Sequence, residues 1–309
     1  MSKLLIEMSA MGNHTAQRLG LNVPRECWPS SAALAAYAEA GFRWVQFHTP
    51  PQRMLTDRRA ARSHARALVT LLDGTGLRLV LHAPDELSAG TPESDDVFDA
   101  LLDYAAEAGA ERVAYHGLNF PETDGAEAGR VRERATREEG SLLLRLLPRA
   151  HTLGVTVAIE NLAPVFPGPR RLCHDPIAVR DLVRRLHTPG AGMLLDLGHA
   201  HVTADASRTD ITALVAACAP EVVLFHVHDN LGARRREVAA PGIDPLRLDL
   251  HLAPGAGTLP WSRIAGTVGA HDAPLMLEVQ PQHRPARLAA LHERTRDLLT
   301  PATALHAAA

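Results

Sequence analysis

The sequence predicts an α/β protein, a single (β/α)8 TIM barrel with its functional groups at the C-terminal mouth. Three observations predict it. Short apolar, β-rich runs alternate with longer Ala/Leu/Arg-rich amphipathic stretches eight times. Glycines stand where helices hand over to strands. No low-complexity linker or composition break divides the chain. A length of 309 residues would suit two average domains, but barrels of this kind routinely run as long in one. Residues 1–309 are therefore read as one domain, with 1–17 as an N-terminal extension and 303–309 as a frayed tail.

The candidate strands are Arg18–Val23, Phe42–Phe47, Leu77–His82, Arg112–His116, Val155–Glu160, Gly192–Asp196, Val222–Val227 and Pro274–Val279. Between them lie candidate helices over Ser31–Ala40, Asp57–Leu72, Asp95–Ala108, Ala126–Leu153, Ile177–Leu186, Asp210–Ala217, Trp261–Val268 and Pro285–Leu299. Ser30 is a candidate N-cap for the first of these. Gly41, Gly76, Gly109 and Gly154 fall between a helix end and the next strand, where a left-handed residue is wanted. A doubly wound open sheet is the rival architecture. It would need a glycine-rich phosphate turn after the first strand, and that turn reads Asn22-Val23-Pro24-Arg25-Glu26-Cys27 instead.

Composition narrows the function classes. With 46% hydrophobic and 22% charged residues, the chain can bury a large core without staples. Lys+Arg number 32 and Asp+Glu 35, and this net charge of −3 disfavours a protein wrapped in nucleic acid. Cys27, Cys173 and Cys218 are too few and too scattered for a disulfide framework or a CxxC zinc site, which suggests a reducing, cytoplasmic setting. The opening MSKLLIEMSAMGNHTAQ lacks the pattern of a signal peptide, and no apolar run approaches membrane-spanning length, so no membrane partner is expected. The outlying number is 17 histidines.

In a barrel, chemistry gathers where strands end. LVLHAP ends strand three in His82, VAYHG ends strand four in His116, and VAIEN ends strand five in Glu160. MLLDLGHAH brings Asp196 and His199; LFHVHDN brings His226, with His228 and Asp229 beyond. The next loop, DLHLAPGAG, brings Asp249 and His251, and MLEVQ ends strand eight in Glu278. Imidazoles and carboxylates converging in this number on one mouth would repel and desolvate one another without a cation. Zn2+, Mn2+ or Fe2+ suits neutral imidazole plus carboxylate.

In order, LHAP, YHG, IENL, LDLGHA, HVHDN, DLHLAPGAGTLPW and LEV run from about residue 77 to 280. Together they resemble the xylose-isomerase-like TIM-barrel superfamily, which joins sugar isomerases and epimerases to endonuclease IV-type apurinic-site nucleases. The resemblance implies one of two ligand sets. In the mononuclear sugar enzymes Glu160, Asp196, His226 and Glu278 would hold one metal, with His199 touching substrate. In the three-metal nucleases His82, His116 and Glu160 would hold a first ion, the same four residues a second, and His199, Asp249 and His251 a third. All nine positions are filled.

Two chemistries follow. In the first, a divalent-metal-dependent isomerase or epimerase, or a related lyase, acts on a sugar or polyol-type hydroxy-carbonyl. Glu160 and Glu278 move a proton through an ene-diolate, and His199, His82, His116, His228 and Arg234 bind substrate. In the alternative, an endonuclease IV-like three-metal phosphodiesterase acts at abasic sites. The complete ligand set favours the second. The charge balance, the 4% of aromatic residues and the absent first-strand glycine turn favour the first, and nucleic acid is not the expected partner. The implied cofactor is a divalent metal, Zn2+ or Mn2+, as one to three ions, and a homodimer is allowed. Other features are weaker. Arg234-Arg235-Arg236 could clamp an anion, and the amides of Gly255–Trp261 could meet a phosphate, although the glycines are read as shaping a turn. His48 is read as a rim residue, Cys27 has no basic neighbour to activate it, and His64, His271 and His292 are read as surface residues.

Overall fold

A computed structural model describes residues 12–25, 27–90, 92–122, 125, 127–165, 168–233 and 248–300. Eight parallel strands, β1 (Leu19–Asn22), β2 (Trp44–His48), β3 (Arg78–His82), β4 (Ala110–Tyr115), β5 (Thr156–Glu160), β6 (Ala191–Asp196), β7 (Val222–Val227) and β8 (Leu275–Leu277), close into a barrel in chain order. The seam is β8 against β1, with Leu19, Gly20 and Leu21 opposite Leu275, Met276 and Leu277. Every strand is followed by at least one helix, so the expected barrel is the observed one.

Local chemistry sets the boundaries. Ser30 Oγ accepts from Ala33 N at 3.2 Å and starts the helix Ser31–Glu39. Asp57, Asp175 and Asp210 cap three further helices in the same way. Gly41, Gly76, Gly109 and Gly154 all turn with positive φ, between 70° and 104°, as the helix-to-strand turns require.

The barrel has two apolar layers around its strands. The larger lies between the sheet and the helices. The smaller consists of Trp44, Val80, Ala114, Ala158, Leu194, Leu224 and Met276, one from each of β2 to β8, and fills the interior. On β1 the corresponding residue is Gly20. A Cβ there would lie 2.4 Å from Met276 Sδ and 2.6 Å from Trp44 Cβ, so only glycine fits. At the opposite end to the mouth the Arg18 side chain is buried. It donates to the carbonyls of Ala273 (2.8 Å), Gly269 (3.0 Å) and Val268 (3.0 Å), joining the first strand to the approach of the last.

Three differences from the sequence reading have physical reasons. Residues 12–18 are helical and lead straight into β1, so the described part of the N-terminal extension is a helix, with Thr15 buried. A helix over Leu197–Ser207 follows β6; it is buried along most of its length and so lacks the polar stripe by which a surface helix is recognised. His292 is buried rather than on the surface. Its ring meets Phe42 edge-on at 5.3 Å and lies under Gly41. The tail 303–309 lies outside the described residues. Among those residues no helix is long and apolar enough to cross a membrane.

Candidate functional site

The site follows from strand periodicity. Side chains of a strand alternate between faces, so the residue two places after an interior one is again interior. Two residues beyond the interior apolar layer stand Gln46, His82, His116, Glu160, Asp196, His226 and Glu278, and two beyond Gly20 stands Asn22. An apolar floor is thus topped by a polar ring. Six of these eight are residues that the strand-end reading selected; Asn22 and Gln46 are not.

In the ring His226 is central. Its Nδ1 lies 2.9 Å from Glu160 Oε1, 3.3 Å from Glu278 Oε2 and 3.7 Å from Asp196 Oδ2. Its Nε2 donates to Gln46 Oε1 at 2.9 Å, which turns Nδ1 towards the carboxylates, and the Gln46 amide donates in turn to Glu278 Oε1. The same device recurs at three other imidazoles. His82 Nδ1 donates to Ala83 O (2.8 Å), His199 Nδ1 to Asn161 O (2.9 Å) and His251 Nδ1 to Glu278 O (2.8 Å). Each is thereby held with Nε2 facing a carboxylate: His82 to Glu160 Oε2 at 3.6 Å, His199 to Asp249 Oδ1 at 3.4 Å, His251 to Asp249 Oδ2 at 2.9 Å. His116 Nε2 stands 3.5 Å from the same Glu160 oxygen. A backbone carbonyl or an amide fixing one ring nitrogen while the other is presented is the usual support of a metal-binding histidine.

Three groups have ligand atoms within 4.8 Å of one another: His82, His116 and Glu160; Glu160, Asp196, His226 and Glu278; and His199, His228, Asp249 and His251. A further group, His48, His82 and Asp85, overlaps the first. Glu160 Oε2 and His199 Nε2 are buried and make no hydrogen bond. Buried lone pairs of this kind, in an imidazole and carboxylate donor set, fit a divalent cation.

The electrostatics agree. Burial disfavours imidazolium at His82, yet Glu160, Glu278 and Asp85 outweigh it and push it up to about 9. Burial is likewise outweighed at His251, held at about 9 by Asp249, and at His199, held well above its ordinary value by Asp196 and Asp249. In the other direction, burial opposes ionisation of Glu278, but His226 brings it down to about 2. Glu160 is held well below the carboxylate range, against its burial, by His226, His116 and His82. This is a site in which buried charges are balanced only by one another, and a dication would satisfy the carboxylates without protons on the rings.

The loop after β7 brings in the rest. Asp229, buried, accepts from Gly255 N (2.8 Å), Leu259 N (3.1 Å) and Trp261 Nε1 (2.8 Å). The amides of Gly255, Ala256, Thr258, Leu259 and Trp261, which could have met a phosphate, are therefore used within the protein. Gly257 is required there, since its Cβ would sit 2.3 Å from Asp229 Oδ1. An antiparallel bridge between Asp229 and Leu252 then presents Asp249 and His251, the latter at φ 48°, an uncommon conformation for a non-glycine residue.

His82, His116, Glu160, His199, Asp249, His251 and Glu278 line a cavity of about 680 Å3 at the mouth. Asp196 and His226 are fully buried beneath it. His228 differs from its expected place at the substrate. It has no exposed surface, and its Nε2 donates to Asp196 Oδ2 at 2.9 Å, so it stands behind a ligand carboxylate. Arg234 lies outside the described residues. Asn161 is a positioning residue that the strand ends did not reveal: its side chain accepts from Asp196 N (2.9 Å), donates to Asp196 O (3.1 Å) and so pins β5 to β6. Glu139 is another. Buried in the helix Ala128–Thr152, it accepts from Tyr115 Oη (2.8 Å) and Leu118 N (3.0 Å), while Tyr115 Oη accepts from Ala89 N (2.8 Å). This braces the turns that carry His82 and His116.

The sequence profile described as xylose isomerase-like TIM barrel matches residues 34–298. No protein of curated function matches the chain. Among solved structures, a D-tagatose 3-epimerase-like protein is similar over 94% of this chain and 100% of its own, with a TM-score of 0.68 and 17% identity. A xylose isomerase domain protein from Alicyclobacillus acidocaldarius covers 91% of this chain and 98% of its own, with a TM-score of 0.63 and 22% identity. The probable 3-DHS dehydratase AsbF from Bacillus anthracis covers 92% and 98%, with a TM-score of 0.62 and 14% identity. At these identities the likeness establishes the fold. With the profile spanning most of the chain, the protein belongs to the xylose isomerase-like TIM-barrel family.

Proposed function

We propose that this protein is a divalent-metal-dependent isomerase or epimerase, or a related lyase, of sugar-like hydroxy-carbonyl compounds. The observation that carries the reading is the convergence of two carboxylates on one ligand nitrogen: Glu160 and Glu278 both lie within 3.3 Å of His226 Nδ1. Glu160, Asp196, His226 and Glu278 would hold a Zn2+ or Mn2+ ion, which when bound polarises a carbonyl and acidifies the C–H beside it. Glu160 arrives from the end of β5 and Glu278 from just past β8, so the two reach the cavity from separate sides. One carboxylate oxygen removes the proton and the other returns it, through an ene-diolate. His82, His116 and His199 line the same cavity and would bind substrate hydroxyls. The three unpaired cysteines suit a reducing, cytoplasmic setting. The named relatives include a 3-epimerase-like protein and a dehydratase, both compatible with proton removal beside a carbonyl.

The test is solvent exchange. Purified protein supplied with Mn2+ is incubated with D-fructose or D-tagatose in D2O. Deuterium entering at the carbon beside the carbonyl is expected, and its absence across a panel of ketoses and hydroxy-ketones sinks the reading. The three-metal phosphodiesterase is kept as a second reading because three ligand groups assemble here. Against it, the one arginine among the described residues lining the mouth, Arg25, is paired with Asp85 at 2.6 Å. Elemental analysis near one ion per chain, unchanged in His82→Ala, supports the isomerase. A ratio near three that falls in His82→Ala, with cleavage of abasic duplex DNA, supports the phosphodiesterase.

A further inference from the structure

A second cavity, of about 420 Å3, adjoins the mouth and shares Pro24, Arg25 and His48 with it. Its volume falls within the roughly 300–1,000 Å3 typical of small-molecule sites. It belongs to the turns after β1, β2 and β3, the arc of the barrel that supplies His82 alone to the three ligand groups. Its walls set Trp28, Phe47 and Met54 beside the polar side chains of Arg25, His64 and Glu86. Trp28 is 51% exposed, an unusual state for so large a ring, and stands 6.1 Å from Phe47 and edge-on to His64 at 4.9 Å. Met54 faces the same space.

The floor is polar and unsatisfied. His48 and Thr49 both line the cavity, and His48 Nδ1 and Thr49 Oγ1 are buried without a hydrogen-bond partner. Two such atoms beside an exposed aromatic wall describe a place for a flat apolar group carrying a hydrogen-bonding atom. A second large exposed apolar side chain, Val165, at 63%, lines the mouth itself. Apolar surface left open at the mouth and beside it is surface that a ligand would cover.

We propose that the substrate has two parts: a hydroxy-carbonyl head at the carboxylate and imidazole cluster, and a ring-bearing, mainly apolar appendage seated between Trp28 and Met54 over His48 and Thr49. The specificity of the enzyme is then set by this side pocket, and simple hexoses are poor ligands. The inference rests on the proposed function for the head only; the appendage is recognised by binding, whatever the chemistry of the head.

The experiment is calorimetric titration of the Mn2+-supplied protein with 6-O-benzyl-D-fructose and 6-O-methyl-D-fructose. The benzyl compound should bind at least about tenfold more tightly, from stacking and buried apolar area. Trp28→Ala should abolish the difference, and Met54→Trp, which fills the pocket, should do the same while leaving the methyl ether unaffected. Trp44 and Trp261 are buried, so quenching of tryptophan fluorescence by the benzyl compound reports Trp28. Equal affinities, no binding of either compound, or a preference that survives both substitutions overturns the proposal. Tight benzyl binding without deuterium exchange would instead keep the pocket and remove the isomerase reading.

Discussion

The floor of the barrel and the ring above it are two residues apart on every strand, and they obey opposite rules. The floor is held by packing: Trp44, Val80, Ala158, Leu194 and Met276 fill it, and the Arg78 guanidinium sits 3.8 Å from the Trp44 ring centroid. The ring is held by charge pairing among side chains that burial penalises. One layer contributes stability and the other spends it, which is how a rigid scaffold carries a strained site.

The largest effect that would break this comparison is Leu194→Asp. It moves an unpaired carboxylate into the floor and should cost more than about 4 kcal/mol, leaving little folded protein by thermal denaturation. Two residues on, Asp196→Asn keeps the oxygen that accepts from His199 N at 2.7 Å but takes a charge partner from His199 and turns an amide onto His228 Nε2, and it should destabilise the metal-free protein by only about 1–3 kcal/mol. If both substitutions destabilise alike, the division into two layers is wrong.

Within the ring, Glu160→Gln preserves shape and removes the anionic oxygen. Turnover on the identified substrate should fall by about a hundredfold or more, with near-normal activity pointing to another base. Gln46→Leu removes the partner that fixes the His226 tautomer. Metal affinity, measured by chelator competition, should drop about ten- to a hundredfold while the fold persists.

The smallest effect concerns Glu139, outside the ring. Burial raises its carboxyl to about 7, against the opposing bonds from Leu118 N and Tyr115. Its folded value lies above the unfolded one, so the folded state holds the proton more tightly. The resulting stability is present below about pH 4.5 and is lost as pH rises towards 7. Melting curves should show this loss, as a fall of a few degrees, in the parent and not in Glu139→Gln. Parallel pH profiles for the two proteins would show that Glu139 does not titrate in this range.

Much of this was legible in the sequence because the barrel's grammar is local. Alternating runs located all eight strands to within about two residues, and glycines marked the turns. The polar strand ends were conspicuous because each interrupts an apolar run. Gln46 was not, since it lies inside β2 rather than at its end; only the period of two, counted from Trp44, selects it. Asn161 acts through backbone groups of a neighbouring strand, which no one-dimensional pattern encodes. Asp196-x-x-His199 was read as a metal motif, and the same spacing is that of an N-cap and its third residue. The structure shows this second meaning, and it announces the helix Leu197–Ser207. His228 was read at the substrate because HVHDN does not reveal burial: it shares a strand face with His226, and its Nε2 is taken up by Asp196 Oδ2.

The Arg18 clamp bears on the order in which the molecule assembles. It spans 250 to 255 residues of chain, and the three-pair seam between β1 and β8 that it adjoins spans 256. Contacts of such sequence separation form late, after the loop entropy between them has been overcome. Glu278 lies one residue past β8, so the ring is incomplete until that seam closes. During synthesis the chain carries most of its ligand residues for a long interval before the last strand is made and the site can be complete.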